Sequence, residues 1–142
     1  MCNYEWDEIW RFETRNFTML CEVTPEQCDP IGHFDDDGET VARIDAGELE
    51  WFETRVIVLL RAGPSSEQMI IGADYLGACC YEKPSDFVTG HRDPDPMARN
   101  CAAMRAINGE NAVICHYFPD MVRTALSEAR TTLARLPKLR AA

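Results

Sequence analysis

The sequence predicts an α+β protein: a small antiparallel sheet of about three strands, with a short fourth candidate, packed against C-terminal helices. Three observations carry this. Residues 17–23 and 52–60 place apolar side chains at alternate positions, as half-buried strands do. Residues 67–73 form another short apolar run after the turn-forming Gly63-Pro64-Ser65-Ser66. Residues 119–136 repeat apolar side chains every three or four positions, the period of a helix with one buried face. A chain of 142 residues is long enough to bury a core without staples and is read as a single domain, 1–142.

The first strand is expected over 12–24 (FETRNFTMLCEVT), with Phe17, Met19, Cys21 and Val23 on one face. Pro25, Asp29 and Pro30 end it, and DPIGHFDDDG at 29–38 reads as a loop. A short helix follows, with Asp37 as its cap, Val41 and Ile44 on its buried side and Gly47 as its stop. The clearest strand is 49–62 (LEWFETRVIVLLRA), turning its Phe52, Val56, Val58 and Leu60 to one side. Residues 67–73 are hairpinned to it as the third strand. Asp95 and Pro96 open a helix over about 97–107 that Asn108-Gly109 closes. AVICHYF at 112–118 is the short fourth strand or a packed connection. Pro119 then opens the last helix, with Val122, Ala125, Leu126, Ala129, Leu133 and Leu136 inward, and Pro137 stops it.

FETR occurs twice, at 12–15 and 52–55, each preceded by a tryptophan (Trp10 and Trp51). A duplicated unit keeps its register. Here the inward parity belongs to Glu13 and Arg15 in the first copy and to Phe52 and Thr54 in the second. The repeat is read as coincidence between two segments that both begin strands.

Net charge is −10 and uneven. Residues 1–53 hold 15 acids against Arg11, Arg15 and Arg43, whereas 54–142 hold 9 acids and 11 bases. Such a field repels nucleic acid from the N-terminal half and attracts basic protein surfaces. Acidic surface that only confers solubility is the competing reading. The arginines of the last helix are interrupted by Glu128 and lack interleaved aromatics, which argues against direct nucleic-acid binding. No apolar run reaches the roughly 20 residues that cross a bilayer. The N-terminus carries acids in place of a secretory pattern, so the expected location is the cytoplasm. Seven cysteines, an odd number, are expected there as free thiols.

Motifs for chemistry are incomplete. An EF-hand frame begun at His33 places Asp35, Asp37 and Gly38 correctly but fails at His33 and Ile44. Structural zinc wants closely paired ligands; a set of Cys28, His33, Cys115 and His116 is conceivable but not signalled by its spacing. His91-Arg92-Asp93 lacks the asparagine and glycine-rich loop of a kinase. Cys115-His116 with Asp120 matches a thiol nucleophile only in composition. No catalytic set and no cofactor is predicted, and an enzyme is the less favoured class.

RFETRNFTM near the start, IGADYLGACCYE at 71–82 and YFPDMVRTALSEARTTLARLPKLR at 117–140 resemble small, largely uncharacterised proteins of phages and prophages of Gram-negative bacteria. The resemblance implies an accessory role during infection or on a mobile element, and it carries no catalytic residues.

Together these features favour an acidic inhibitor of the anti-restriction or anti-CRISPR kind, binding a basic host protein or nucleoprotein complex without touching nucleic acid or membrane. The residues expected to make that contact are Asp29, Asp35, Asp36, Asp37, Glu39, Asp45, Glu48 and Glu50. The alternatives are a self-associating homo-oligomeric module using strand edges or the aromatics near Trp6 and Trp10, and a zinc-containing protein.

Overall fold

The computed structural model describes residues 5–34, 36–61, 68–89 and 117–136. The fold is α+β, with a four-stranded antiparallel sheet and helices mostly towards the C-terminus. In chain order the elements are β1 (Asp7–Glu13), β2 (Phe17–Pro25), α1 (Glu39–Asp45), β3 (Glu50–Leu60), β4 (Met69–Tyr81), α2 (Asp86–Thr89) and α3 (Tyr117–Ala134). The strands lie in sequence order, β1-β2-β3-β4.

The expected strand 12–24 is two strands and a turn. Thr14 makes the break: its N–H donates to the Phe17 carbonyl (2.8 Å), and its hydroxyl accepts from the Phe17 N–H (3.1 Å). β1 then pairs antiparallel with β2, Phe12 opposite Met19 and Arg11 opposite Leu20, with a register shift between Glu8 and Trp10. The first FETR therefore ends a strand and enters a turn, while the second lies inside β3. Phe12 is exposed and Phe52 buried, so the two copies share no structural role.

Other boundaries move for local reasons. β4 runs to Tyr81, well past the expected end at 73, because Ala78 adopts a left-handed φ of 57° and the strand continues through the irregularity. α1 is not capped by Asp37, which itself has a φ of 56°. The N-cap position is Gly38, at φ 83°, which has no side chain to offer; Asp36, two residues earlier, serves the first turn instead, its Oδ2 accepting from the Thr40 N–H (3.0 Å) and the Thr40 hydroxyl. Gly47 does end α1, with φ 77° and its N–H on the Ile44 carbonyl (3.0 Å). Val41 and Ile44 are half-buried. α3 starts at Tyr117, so Pro119 lies within its first turn, where no helical N–H partner is lost. The fourth strand is β1 at the N-terminal end. Tyr117 and Phe118, expected at the end of a strand, are helical. The helix expected over 97–107, the strand residues 112–116, the turn 63–66 and Pro137 lie outside the described residues.

The chain divides into two compact units. The first comprises residues 1–24, 54–76 and 119–142. Its strand residues are buried on successive positions: Thr18 to Cys21 in β2, and Val56, Ile57, Val58 and Leu59 in β3. Both sheet faces are therefore covered there, where the sequence suggested one. On one face Cys21 Sγ meets Thr54 Oγ1 at 3.5 Å. On the other, Leu20, Ile57 and Leu59 cluster against Ala73. α3 buries Met121, Ala125 and Ala129, a stripe at every fourth residue. Its backbone comes so close to β4 that a Cβ on Gly72 would strike the Ala125 carbonyl and lie 2.8 Å from the Ala129 nitrogen. Glu128 of the same helix accepts the Ala73 N–H (3.4 Å), which satisfies a main-chain group on the outermost strand.

The second unit comprises residues 25–53 and 77–118. Its core is aromatic. Phe87, delivered by α2, meets Tyr81 at 5.6 Å, Phe118 at 6.4 Å and Phe52 at 6.5 Å, all edge to face. Phe87 is 1% exposed, so one side chain on a four-residue helix anchors that segment.

Candidate functional site

The segment from Pro25 to Phe34 leaves β2 and folds over Trp51 at the start of β3. Its turn chemistry is explicit in the residues. Asp29 accepts the Ile31 N–H on its carboxylate (2.9 Å), Gly32 takes φ 88°, and the His33 N–H donates to the Pro30 carbonyl (3.2 Å). This turn brings His33 back towards Cys28, and His33 Nε2 lies 3.3 Å from Cys28 Sγ. Trp51 holds both residues. Its indole N–H donates to the Cys28 carbonyl (2.8 Å), and the His33 ring packs edge-on against it at 5.3 Å. Phe34 closes the other side of the indole at 5.7 Å.

Glu26 underlies the turn. Its Oε1 accepts the Cys28 N–H (3.1 Å) and its Oε2 accepts the Ala78 N–H (2.8 Å) at the left-handed residue of β4. Burial acts to raise the pKa of this carboxyl. The N–H groups of Ala78, Cys28 and Gln27, with His33 nearby, outweigh that and hold it below the usual glutamate value.

The eight acids predicted as a contact surface have separate fates. Asp29, Asp37, Glu39, Asp45, Glu48 and Glu50 are exposed. Glu48 is paired with Arg43 at 3.1 Å. Asp36 is half-buried, and its hydrogen bond from the Thr40 side chain, followed by main-chain donors, lowers its pKa. Asp35 lies outside the described residues. All the rest belong to the second unit, whose described residues hold eleven carboxylates against only Arg43 and Lys83. The described part of the first unit is close to balanced, with eight acids and seven arginines. The division of charge thus follows the compact units more closely than the two halves of the sequence.

Of the four conceivable zinc ligands, Cys28 and His33 are brought together, while Cys115 and His116 lie outside the described residues. Among the described residues no three histidine, cysteine or acidic side chains are grouped to hold a metal ion. Cys21, Cys79 and Cys80 are buried, and burial pushes the Cys21 thiol up to about 11.

Sequence reasoning missed the roles of Glu26, Trp51 and Arg55. In the first unit Arg55 pairs with Glu22 (2.8 Å) while its guanidinium lies 4.3 Å from the centre of the Trp6 ring, and Trp6 meets Tyr75 edge-on at 6.4 Å. This docks Trp6 on its own sheet. Parity gave no signal for this pair: Glu22 and Arg55 stand at the positions alternate to Cys21 and Thr54, on the face the sequence left to solvent, and they are sheltered because both faces of the sheet are covered there.

Among the described residues no helix is long and apolar enough to cross a membrane. Comparison with known protein families, characterised proteins and solved structures returns no match to this chain.

Proposed function

We propose that this chain is an acidic binding module of phage or mobile-element type, acting in the cytoplasm by occupying a basic surface on a host nucleic-acid-handling complex of defence, restriction or CRISPR type, and so inhibiting it. The observation that supports this reading is the charge of the second unit. Asp29, Asp37, Glu39, Asp45 and Glu50 are exposed carboxylates on one chain segment, without ion-pair partners among the described residues. Carboxylates held in this way on a folded surface raise the capture rate of a basic partner and steer its approach. Asp36 takes no part in the contact, because its carboxylate is committed to Thr40. Glu48 contributes least, because Arg43 already neutralises it.

The test is a pull-down from bacterial lysate at low and moderate salt. Wild type is compared with a variant carrying Asp29→Lys, Asp37→Lys, Glu39→Lys, Asp45→Lys and Glu50→Lys. Capture of one nucleic-acid-handling complex by wild type, weakened by salt and abolished in the variant, is the expected result. A variant with wild-type circular dichroism that captures the same complex would sink the proposal.

A second reading, self-association, is favoured by the exposed apolar residues Met69 and Ile70 at the start of β4, the last strand in the sheet order. Light scattering at two concentrations separates it from the first: a concentration-dependent mass supports it, and a constant monomer mass removes it.

A further inference from the structure

We propose that Cys28, with His33 as its proton acceptor, is a thiol–disulfide exchange site selective for cationic disulfides. Three properties of the second unit carry this. The first is access: among the described cysteines Cys28 alone is exposed, while Cys21, Cys79 and Cys80 are buried. The second is a base in place, since His33 Nε2 stands 3.3 Å from Cys28 Sγ. The contact does not depend on two free surface side chains finding each other. The Cys28 carbonyl is tied to the Trp51 indole, its N–H to Glu26, and the His33 ring rests on the same indole. Both partners are thus positioned by one tryptophan and one turn, which lowers the entropy lost on reaching the reactive geometry.

The third property is the surrounding charge. Glu26 sits directly beneath Cys28, Asp29 follows it in sequence, and the unit's described bases are Arg43 and Lys83. A field of this sign opposes the thiolate itself, so its benefit lies with the reagent: it draws in positively charged disulfides. It slows anionic disulfides by the same mechanism.

The step balances with the disulfide as the only co-reactant. His33 Nε2 takes the Cys28 Sγ proton, and the thiolate attacks one sulfur of the incoming disulfide. A new bond forms between Cys28 Sγ and that sulfur as the old sulfur–sulfur bond breaks. The departing thiolate carries the electron pair and takes the proton from the imidazolium. In the resting state Sγ also lies 3.7 Å from the Asp29 carbonyl, so the thiol proton has a second acceptor until His33 takes it. The inference does not rest on the docking reading; a chain that captures no host complex would still show it.

The experiment follows modification of Cys28 in the full chain by peptide mass mapping. Cystamine serves as the dicationic disulfide and 5,5′-dithiobis(2-nitrobenzoate) as the dianionic one. Each rate is divided by that of N-acetylcysteine amide with the same reagent. At low ionic strength the normalised preference for cystamine is expected to be about tenfold, shrinking as salt is added. His33→Gln is expected to slow the cystamine reaction at Cys28 about tenfold near neutral pH. That variant is also expected to lose the inflection that the imidazole gives the pH–rate profile. His33 is exposed, so the variant keeps its fold, which circular dichroism checks. Equal normalised rates for the two disulfides overturn the selectivity, and an unchanged rate in His33→Gln overturns the role of the histidine. A wild-type Cys28 no faster than the model thiol with cystamine overturns the site altogether.

Discussion

Gly72→Ala is the sharpest test of how α3 is seated. The change adds one methyl group to β4, a residue type that strands tolerate. At this position the new Cβ would strike the Ala125 carbonyl, lie 2.8 Å from the Ala129 nitrogen and 3.0 Å from the Ala129 Cβ. Two of these three atoms are main chain, which no rotamer change can move. Restoring ordinary contact at 3.4 Å requires α3 to recede by about 0.6 Å at Ala129 and by more at Ala125. A gap of roughly 0.5–1 Å forfeits a quarter to a half of the dispersion attraction across it, here along the buried stripe Met121, Ala125 and Ala129. Overpacking of this kind costs about 1–3 kcal/mol, and main-chain obstacles place this one near 3 kcal/mol. For a chain of this length that lowers Tm by roughly 10 °C. Urea unfolding followed by far-UV circular dichroism measures it. The double variant Gly72→Ala/Ala129→Gly removes the Cβ–Cβ contact but neither main-chain contact, so it should not rescue. A Gly72→Ala change below about 0.5 kcal/mol, or full rescue by Ala129→Gly, would refute this packing.

Other consequences follow from the polar contacts. Glu22→Ala leaves the half-buried Arg55 without its carboxylate and should cost about 3 kcal/mol by urea unfolding, with Trp6 fluorescence shifting as its cation partner moves. Glu26→Gln should destabilise by about 1–2 kcal/mol near neutral pH, a charge-assisted bond discounted for solvent access. Because the folded pKa of Glu26 is lowered, its contribution is present above the unfolded value and is lost as pH falls through the folded one. The gap between wild type and Glu26→Gln should therefore close in acid. Asp36→Ala should unravel α1, read as lost helical signal and faster amide exchange over 39–45, whereas Asp37→Gly should leave that helix intact because it relieves a left-handed φ.

Element type was legible wherever a pattern was long. The α3 period, the β3 alternation as far as Val56 and the stop at Gly47 follow from residue order alone, whereas the burial of Ile57 and Leu59 on the other face of β3 does not. β1 was not legible, because five of its seven residues are exposed and its pattern carries no steady alternation. A single threonine decides where that strand ends, and its effect is a turn closed by side-chain hydrogen bonds with no apolar signature. β4 was cut short because Gly72, Gly77 and Ala78 weaken strand propensity, while the contacts that hold the strand there, from α3 and from Glu26, are remote in sequence. The candidate site was legible as a run of acids but not as individual roles. Nothing local distinguishes Asp36, bound to Thr40, from Asp37 beside it. The pairing of Cys28 with His33 depends on Trp51, a residue 23 positions from Cys28.

Those individual roles change what the acidic composition implies. A net charge of −10 says only that the molecule repels anions and resists aggregation. In the folded chain several carboxylates are committed to other work. Glu22 holds Arg55, Glu26 and Glu128 satisfy main-chain N–H groups of β4, Asp36 accepts the Thr40 N–H in the first turn of α1, and Glu8 and Glu13 both clamp Arg11 on β1. Each of these would be a poor contact residue, because a partner would have to replace a bond already made. The exposed carboxylates at 37, 39, 45 and 50 have no ion-pair partner among the described residues and lose little by engaging one, whereas Asp29 can offer only the lone pairs its bond from the Ile31 N–H leaves open. Asp29 adjoins Cys28, the only exposed thiol among the described residues, and the others follow on the same chain segment. The same field would thus bring a basic protein surface and a cationic disulfide to the same stretch of chain, and salt would weaken both encounters.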